Sequence, residues 1–209
     1  MKISNNTVEL LGHYGGDETH ALSAWTSTAR DLPEEKRARI GELLKRMASE
    51  GHGTPFEKST IHFLVKSDVA THIQLLKHRV GVSVNTESAR YKELSEDKFY
   101  MPLDWPELEL LKLHKHLEQC NEYYHSALKE LTPKLGRKRA KETARYYLPY
   151  ATQLWQDVSF NWRSFFHFYA LRHSEHAQRE ISDMAEIMLD LIKGIEGNPF
   201  QKTIEAFGL

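Results

Sequence analysis

The sequence predicts a single helix-rich α+β domain with a small antiparallel or mixed sheet. Several segments carry apolar residues at helical spacing, whereas residues 60–65 and 150–160 have the alternation or the composition of strands. No repeat, low-complexity segment or linker interrupts the 209 residues. A chain of this length can bury one sizeable core, so we expect one domain over residues 1–209.

The first half of the chain is expected to alternate strands and helices. Residues 8–11 suit a short strand, and Asp31 with Pro33 predicts the start of a helix that Gly51 and Gly53 end. In the strand over 60–65, Ile61, Phe63 and Val65 alternate with Thr60, His62 and Leu64. Asp68 should then cap a helix that Gly81 stops, and residues 83–91 should be extended or looped.

The second half is expected to be mostly helical. A long helix should cover 106–131 and end at Thr132-Pro133, and a basic helix should follow over 137–147. After a strand or extended arm over 150–160, Asn161 should cap a helix over 162–172. Further helices are predicted over 176–193 and after a capping-box variant at 198–201.

Composition excludes several classes of protein. The formal net charge is −1, so no global field attracts nucleic acid or an anionic membrane, and apolar runs are too short for a transmembrane helix. We expect no signal peptide, and the single Cys120 fits a reducing cytoplasm. The basic run over 134–141 lacks interleaved aromatic residues, which favours a solvated face over a nucleic-acid site.

Two polar clusters are candidates for binding. The first lies over 74–90 and combines cations with hydroxyl and amide groups, as a phosphate site requires, although a solvated basic helix end has a similar composition. The second lies over 161–178, where Arg163 and His167 share one face of an aromatic helix that must be largely buried. Buried charges need a ligand or an ion-pair partner, and the sequence leaves both open.

Two further chemistries have weaker support. His173 with His176, or His176 with Glu180, has the spacing of metal ligands, but the third and fourth ligands are not evident, so we predict no metal. Cys120 follows Glu118 and Gln119 without the His–Asp context of a nucleophile.

Four co-linear motifs resemble those of the flavin-dependent thymidylate synthases. Lys77-His78-Arg79, a spacer and then Ser88-Ala-Arg90-Tyr91 resemble the family signature of Arg-His-Arg followed by Ser and an Arg-Tyr pair. The other three are GHGTPFEK (51–58), ETARYYLP (142–149) and NWRSFFHFYALRHSEHAQREI (161–181). The resemblance runs from about residue 50 to the C-terminus.

The resemblance implies a cytoplasmic homotetramer of α+β subunits with active sites shared between subunits. It also implies methylation of dUMP to dTMP, with FAD as cofactor, 5,10-methylenetetrahydrofolate as one-carbon donor and NADPH as reductant. No side chain is implied as a nucleophile, and no nucleic-acid polymer or membrane is implied as a partner.

The resemblance also implies roles for individual residues. Arg172 is implied as the catalytic residue. The implied cofactor-binding residues are His52, Thr54, Lys77, His78, Arg79, Glu87, Asn161, Arg163 and His167. The implied substrate-binding residues are Gln74, Lys77, Thr86, Glu87, Ser88, Ala89, Arg90, Arg145 and Arg172.

The chain departs from the family pattern at four points. Lys77 stands where Arg is usual, which keeps the charge but loses the planar fork. Lys58 replaces a His, and His167 replaces an Asn. The spacer has one extra residue, so either Thr86 or Glu87 takes the role of the family Glu.

Two rival interpretations belong to other classes of protein. A catalytically inactive nucleotide- or flavin-binding protein would bind dUMP but not turn it over. A His-ligated metalloprotein would lack flavin absorbance.

Overall fold

The computed structural model describes residues 1–28, 33–94, 96 and 98–209. Asp31, the predicted cap of a helix, lies outside the described residues. Contacts group the described chain into two compact units. Unit 1 comprises Met1–Thr7, Val65–Leu76 and Asn85–Gln156, and unit 2 comprises Val8–Leu64, Lys77–Val84 and Asp157–Leu209.

The described chain contains six strands in two small sheets. A parallel pair is formed by β1 (Lys2–Ile3) and β5 (Lys98–Phe99). The larger sheet has the order β2-β3-β6-β4, with strands that span the following ranges: β2 Thr7–Tyr14, β3 Thr60–Asp68, β4 Val82–Thr86 and β6 Gln153–Phe160. The predicted strands over 8–11, 60–65 and 150–160 are confirmed.

Helices dominate the rest of the described chain, as predicted. The α-helices are α1 Asp17–Trp25, α2 Glu34–Ala38, α3 Ile40–Ser49, α4 Val69–Leu75, α5 Glu107–Ala144, α6 Trp162–Arg172, α7 Arg179–Lys193 and α8 Gln201–Ala206. Two 3-10 helices cover Thr54–Glu57 and Arg145–Tyr147. None of the helices in the described part of the chain is long and apolar enough to cross a bilayer.

Two predicted helix caps are confirmed. The Asp68 carboxylate accepts a hydrogen bond from Thr71 N at 2.9 Å, and the Asn161 side chain accepts one from Ser164 N at 2.8 Å. Each cap satisfies an N–H group that the first helical turn cannot pair internally. These caps fix where α4 and α6 begin, and both helices contain predicted site residues.

Helix ends differ from the prediction at three places. The helical run continues through Pro133 and breaks at Gly136, whose φ of 76° is a left-handed conformation that glycine adopts without steric cost. Helix α4 ends at Leu75, before Gly81, and α7 begins at Arg179 rather than near 176.

The cap of α8 was predicted wrongly. No side chain at its own N-terminus caps the helix. Instead, the Asp17 carboxylate accepts hydrogen bonds from Lys202 N at 2.9 Å and from Thr203 N at 2.8 Å. A residue distant in sequence therefore performs the capping function that we assigned to 198–201.

Each unit has a core of its own. In unit 2 the core is aromatic, and it includes the fully buried Phe63, Trp162 and Phe165. In unit 1, the buried Tyr124 and Leu128 of α5 pack with Ala144. Each unit also has a cleft of its own, lined in part by polar side chains.

Candidate active site

Unit 1 contains a cleft of about 470 Å³ that unites two separate sequence motifs. Its lining includes Arg145 and four consecutive residues that end or follow β4, namely Thr86, Glu87, Ser88 and Ala89. The end of α5 brings Arg145 to the cleft, since the 3-10 turn over 145–147 follows that helix directly. All five are among the predicted substrate-binding residues.

Arg90 and Glu142 form an ion pair within unit 1. The Arg90 guanidinium donates to Glu142 Oε1 from Nε at 3.3 Å and from Nη2 at 3.2 Å, and it lies 5.5 Å from the Tyr91 ring centroid. The hydrogen bond from Arg90 is the largest cause that lowers the pKa of the Glu142 carboxyl. Glu142 therefore orients a predicted site residue, a role that sequence reasoning missed although Glu142 lies in a recognised motif.

Glu87 is held firmly by its neighbours. Its backbone N–H donates to Trp155 O at 2.8 Å, and its carboxylate accepts from Trp155 N at 3.2 Å and from Lys92 Nζ at 3.0 Å. These bonds fix the end of β4 against β6. The assignment of the family Glu role to Thr86 or Glu87 stays a prediction, since both residues line the cleft.

Unit 2 contains a second cleft of about 470 Å³. Its lining includes three residues that are predicted to bind the cofactor, Asn161, Arg163 and His167. The other lining residues are Glu57, Val80, Gly81 and Ser164. Arg163 Nη1 donates to Glu57 Oε1 at 2.6 Å. Helical spacing places Arg163 and His167 on one face of α6, as the sequence predicted, but that face is exposed and neither side chain is buried.

Two glycines allow a close approach in this cleft. A Cβ at Gly53 would lie 2.7 Å from Arg163 Nε, and a Cβ at Gly81 would lie 2.6 Å from Asn161 Nδ2. The φ of 68° at Gly81 also favours glycine. Larger residues at 53 or 81 would displace the side chains that line the cleft.

A hydrogen bond joins the predicted catalytic residue to a predicted cofactor-binding residue. Arg172 Nε donates to His78 Nε2 at 2.9 Å. Because a guanidinium can only donate, Nε2 must be unprotonated, so His78 is neutral and has its proton on Nδ1. Burial, followed by the charges of Arg172 and His167, lowers the pKa of His78 to about 4, which keeps it neutral at physiological pH.

The remaining predicted residues lie apart from these two linings. Lys77 and Arg79 flank His78 and are exposed, and Gln74 lies on α4 in unit 1. His52 Nε2 lies 3.1 Å from Glu50 Oε2, and Thr54 begins a 3-10 helix. In the described part of the chain, the lining of the unit 2 cleft does not include His52 or Thr54.

Cys120 has a neighbour that sequence reasoning missed. Its sulfur lies 3.5 Å from His116 Nε2, one helical turn earlier in α5, so a base does lie nearby. Burial raises the pKa of the Cys120 thiol, which favours the unreactive protonated form.

One of the candidate metal ligands, His173, has other partners. His173 pairs with Glu186 through Nδ1 and stacks on Tyr169, with ring centroids 4.9 Å apart. Among the described residues, no group of three or more His, Cys, Asp and Glu side chains is arranged to hold a metal ion.

The unit 2 cleft suits the flavin cofactor that the resemblance implies. FAD has phosphates that need cations and a polar ring edge that needs hydrogen-bonding groups. Arg163 provides a guanidinium, Asn161 an amide and His167 an imidazole. Gly81 leaves the approach to Asn161 unobstructed by a side chain of its own.

Comparisons with known proteins identify a family and several similar relatives. The family model described as "Thymidylate synthase complementing protein" matches residues 9–196. A flavin-dependent thymidylate synthase of Pseudothermotoga lettingae is 34% identical over 200 residues, which cover 92% of this chain and 87% of the relative. One of Thermotoga neapolitana is 29% identical over 208 residues, covering 98% and 92%.

Solved structures show the same similarity. The crystal structure of a UMP/dUMP methylase, PolB from Streptomyces cacaoi, bound with 5-Br dUMP, has a TM-score of 0.84 and 27% identity, covering all of this chain and 97% of that one. The same methylase bound with 5-Br UMP has a TM-score of 0.80 and 26% identity, covering 99% and 96%.

The family match and the similar relatives extend over both clefts. They include the residues that bring Ser88 to Arg145 and those that place His78 against Arg172. The chain belongs to the flavin-dependent thymidylate synthase family, and it is an FAD-dependent methyltransferase.

Proposed function

We propose that this chain methylates dUMP at C5 to give dTMP, with 5,10-methylenetetrahydrofolate as one-carbon donor and NADPH as the source of the hydride. The methylene carbon and one hydride become the new methyl group, and the C5 proton leaves. Tetrahydrofolate and NADP⁺ are the other products. The similar methylase with bound 5-Br dUMP supports the choice of nucleotide.

The observation that carries this proposal is the unit 1 cleft. It brings the consecutive residues 86–89 to Arg145, which is more than fifty residues away in sequence. A hydroxyl and a guanidinium are the groups that a nucleotide phosphate requires. We assign Ser88, Arg90 and Arg145 to the phosphate, and Gln74, Lys77, Thr86, Glu87 and Ala89 to the rest of the substrate site.

Arg172 is proposed as the catalytic residue. Loss of the N3 proton makes the uracil ring electron-rich at C5, and a guanidinium stabilises the resulting anion more than it stabilises the neutral ring. The hydrogen bond to neutral His78 orients the guanidinium from its Nε side. No side-chain nucleophile is needed in this reaction.

Residues of unit 2, together with Glu87, are proposed to hold FAD. Asn161, Arg163 and His167 would do so from the cleft, and His52, Thr54, Lys77, His78, Arg79 and Glu87 complete the proposed set. When bound, FAD would supply the redox chemistry that carries the hydride from NADPH to the one-carbon unit. The protein supplies binding groups and fixes the orientation of Arg172.

We further propose that residues 1–209 act as one cytoplasmic domain that assembles as a homotetramer with shared active sites. The wide exposure of residues such as Arg90 and Arg145 supports shared sites, because a second subunit would shield them from water. Sedimentation of the FAD-loaded protein tests the assembly.

Turnover tests the activity. The protein is incubated anaerobically with FAD, NADPH, methylenetetrahydrofolate and [5-³H]dUMP, and both tritium release and dTMP are measured. We expect flavin absorbance that NADPH bleaches, and equal amounts of tritium and dTMP. A protein that binds dUMP and flavin without forming dTMP would instead be the inactive binding protein.

UMP is a second candidate substrate. The specific observation is the similar methylase with bound 5-Br UMP. The same assay with [5-³H]UMP compares the two nucleotides directly, and formation of the 5-methyl ribonucleotide would establish this activity.

A further inference from the structure

Two buried polar atoms in the lining of the unit 1 cleft lack hydrogen-bond partners. His72 is 8% exposed and Thr152 is 4% exposed, and both residues line the cleft. Within the described residues, no group bonds to His72 Nδ1 or to Thr152 Oγ1. Buried polar groups are almost always paired, because an unpaired one destabilises the fold. Because both residues line a cleft, a ligand bound there can supply the missing hydrogen bonds.

The two unpaired atoms can both be satisfied by a ligand hydroxyl. A histidine ring nitrogen accepts a hydrogen bond when it is unprotonated and donates one when it carries the proton, and a hydroxyl group can do the complementary part in either case.

Burial lowers the pKa of His72, so its ring is neutral and carries one proton. The Thr152 hydroxyl can both donate and accept. A ligand hydroxyl can donate to one of the two atoms and accept from the other, whichever ring nitrogen of His72 carries the proton.

The position of these atoms relates the hydroxyl to the nucleotide. The same cleft is lined by Ser88 and Arg145, to which we assign the phosphate. In a 5′-nucleotide the sugar follows the phosphate directly. We propose that His72 Nδ1 and Thr152 Oγ1 bind a hydroxyl group of the nucleotide sugar. This inference rests on the proposed function, because it takes the cleft as the nucleotide site.

Binding of three nucleotides to the FAD-loaded protein tests the proposal. The probes are dUMP, UMP and 2′,3′-dideoxyuridine 5′-monophosphate, and dissociation constants are measured for the parent, Thr152→Val and His72→Phe. The parent should bind dUMP about tenfold more tightly than the dideoxy nucleotide, as expected for one buried hydrogen bond. Each variant should lose about that factor for dUMP and UMP and keep the affinity for the dideoxy nucleotide.

Two controls separate the hydroxyl from other effects of substitution. Thr152→Ser keeps the hydroxyl and should retain the preference for dUMP. Thr132→Val makes the same chemical change on α5, where Thr132 bonds to Leu128 O, and should leave all three affinities unchanged. Thr152→Val removes an unpaired buried hydroxyl without changing side-chain shape, so it should fold even if His72→Phe does not.

The outcomes distinguish this proposal from the proposed function. Equal loss for all three nucleotides in Thr152→Val would overturn the sugar contact, and so would unchanged affinities or a parent without preference for dUMP. The nucleotide site itself would stand in these cases. A parent that binds none of the three nucleotides would overturn the proposed function and this inference together.

Discussion

The hydrogen bond between Arg172 and His78 predicts that the protein loses folding stability in acid. Because the Arg172 guanidinium can only donate, the His78 nitrogen that accepts from it must be unprotonated. Burial lowers the pKa of His78 to about 4, which keeps the ring neutral. In the unfolded chain a histidine has a pKa of about 6.5. Because the folded pKa is the lower one, stability is complete above pH 6.5 and is lost as the pH falls from 6.5 towards 4.

The magnitude follows from these two pKa values. At pH 5, an unfolded histidine is about 97% protonated, whereas a residue with a pKa of about 4 is about 10% protonated. The resulting penalty at pH 5 is about 2 kcal/mol of unfolding free energy. His78 is 8% exposed, so solvent screening removes little of this penalty.

Substitution by glutamine isolates the effect. The glutamine side chain of the His78→Gln variant can still accept from Arg172, but it does not titrate. Urea unfolding at pH 7.5 and at pH 5 should show that the parent loses about 2 kcal/mol more than His78→Gln. Other buried histidines, such as His20, are common to both proteins and cancel in the comparison.

A matched control and an activity readout complete the test. His176→Gln changes an exposed residue, so this variant should lose as much unfolding free energy between pH 7.5 and pH 5 as the parent does. With FAD bound, His78→Phe should lower kcat about tenfold because Arg172 loses an acceptor, and His78→Gln should largely preserve it. The reasoning is refuted if His78→Gln loses as much stability at pH 5 as the parent.

Three further predictions concern other parts of the molecule. Arg172→Ala should lower the single-turnover rate with dUMP and methylenetetrahydrofolate by about a hundredfold, and Arg172→Lys should fall in between; a folded, FAD-loaded Arg172→Ala protein with the parent rate would eliminate the catalytic role. Cys120→Ser should form dTMP at the parent rate, because burial keeps the thiol protonated; near-complete loss with an intact fold would indicate a cysteine nucleophile. Asp17→Asn should cost about 2 kcal/mol of unfolding free energy, since an amide cannot accept from both Lys202 N and Thr203 N as the carboxylate does, and a urea midpoint equal to that of the parent would contradict this.

Local rules predicted the elements that local forces determine. The strand over 60–68 follows from alternation, since Ile61, Phe63 and Val65 are fully buried. Asp68 and Asn161 cap helices because their side chains reach N–H groups only three residues away. Such interactions are encoded within a few consecutive residues.

Long-range contacts explain some of the errors. Helix α1 begins without a side-chain cap, and Asp17 at its start caps α8 instead. The pairing of two-residue strands β1 and β5 has no periodicity that a sequence could reveal. The third error is local rather than long-range. Gly136, which adopts the left-handed conformation, breaks the helical run, and Pro133 does not.

The site shows the same division. Motif resemblance identified residues 86–89 and Arg145, which the structure brings into one cleft. It did not identify His72 or Thr152, since their importance depends on burial and on unpaired atoms. His116 beside Cys120 was the exception, because a spacing of four residues in a predicted helix is a signal that sequence alone provides.

The partners of two site arginines bear on how a nucleotide and a flavin can bind. Arg90 pairs with Glu142 and Arg163 pairs with Glu57, and the arginine side chains are 46% and 59% exposed. Exposed ion pairs of this kind contribute only about 0–1 kcal/mol. A phosphate offers more negative charge and a bidentate geometry, so it can replace either carboxylate at little cost. The two glutamates therefore position the arginines before ligands arrive without making them unavailable, and Glu142→Gln should weaken dUMP binding less than Arg90→Gln does.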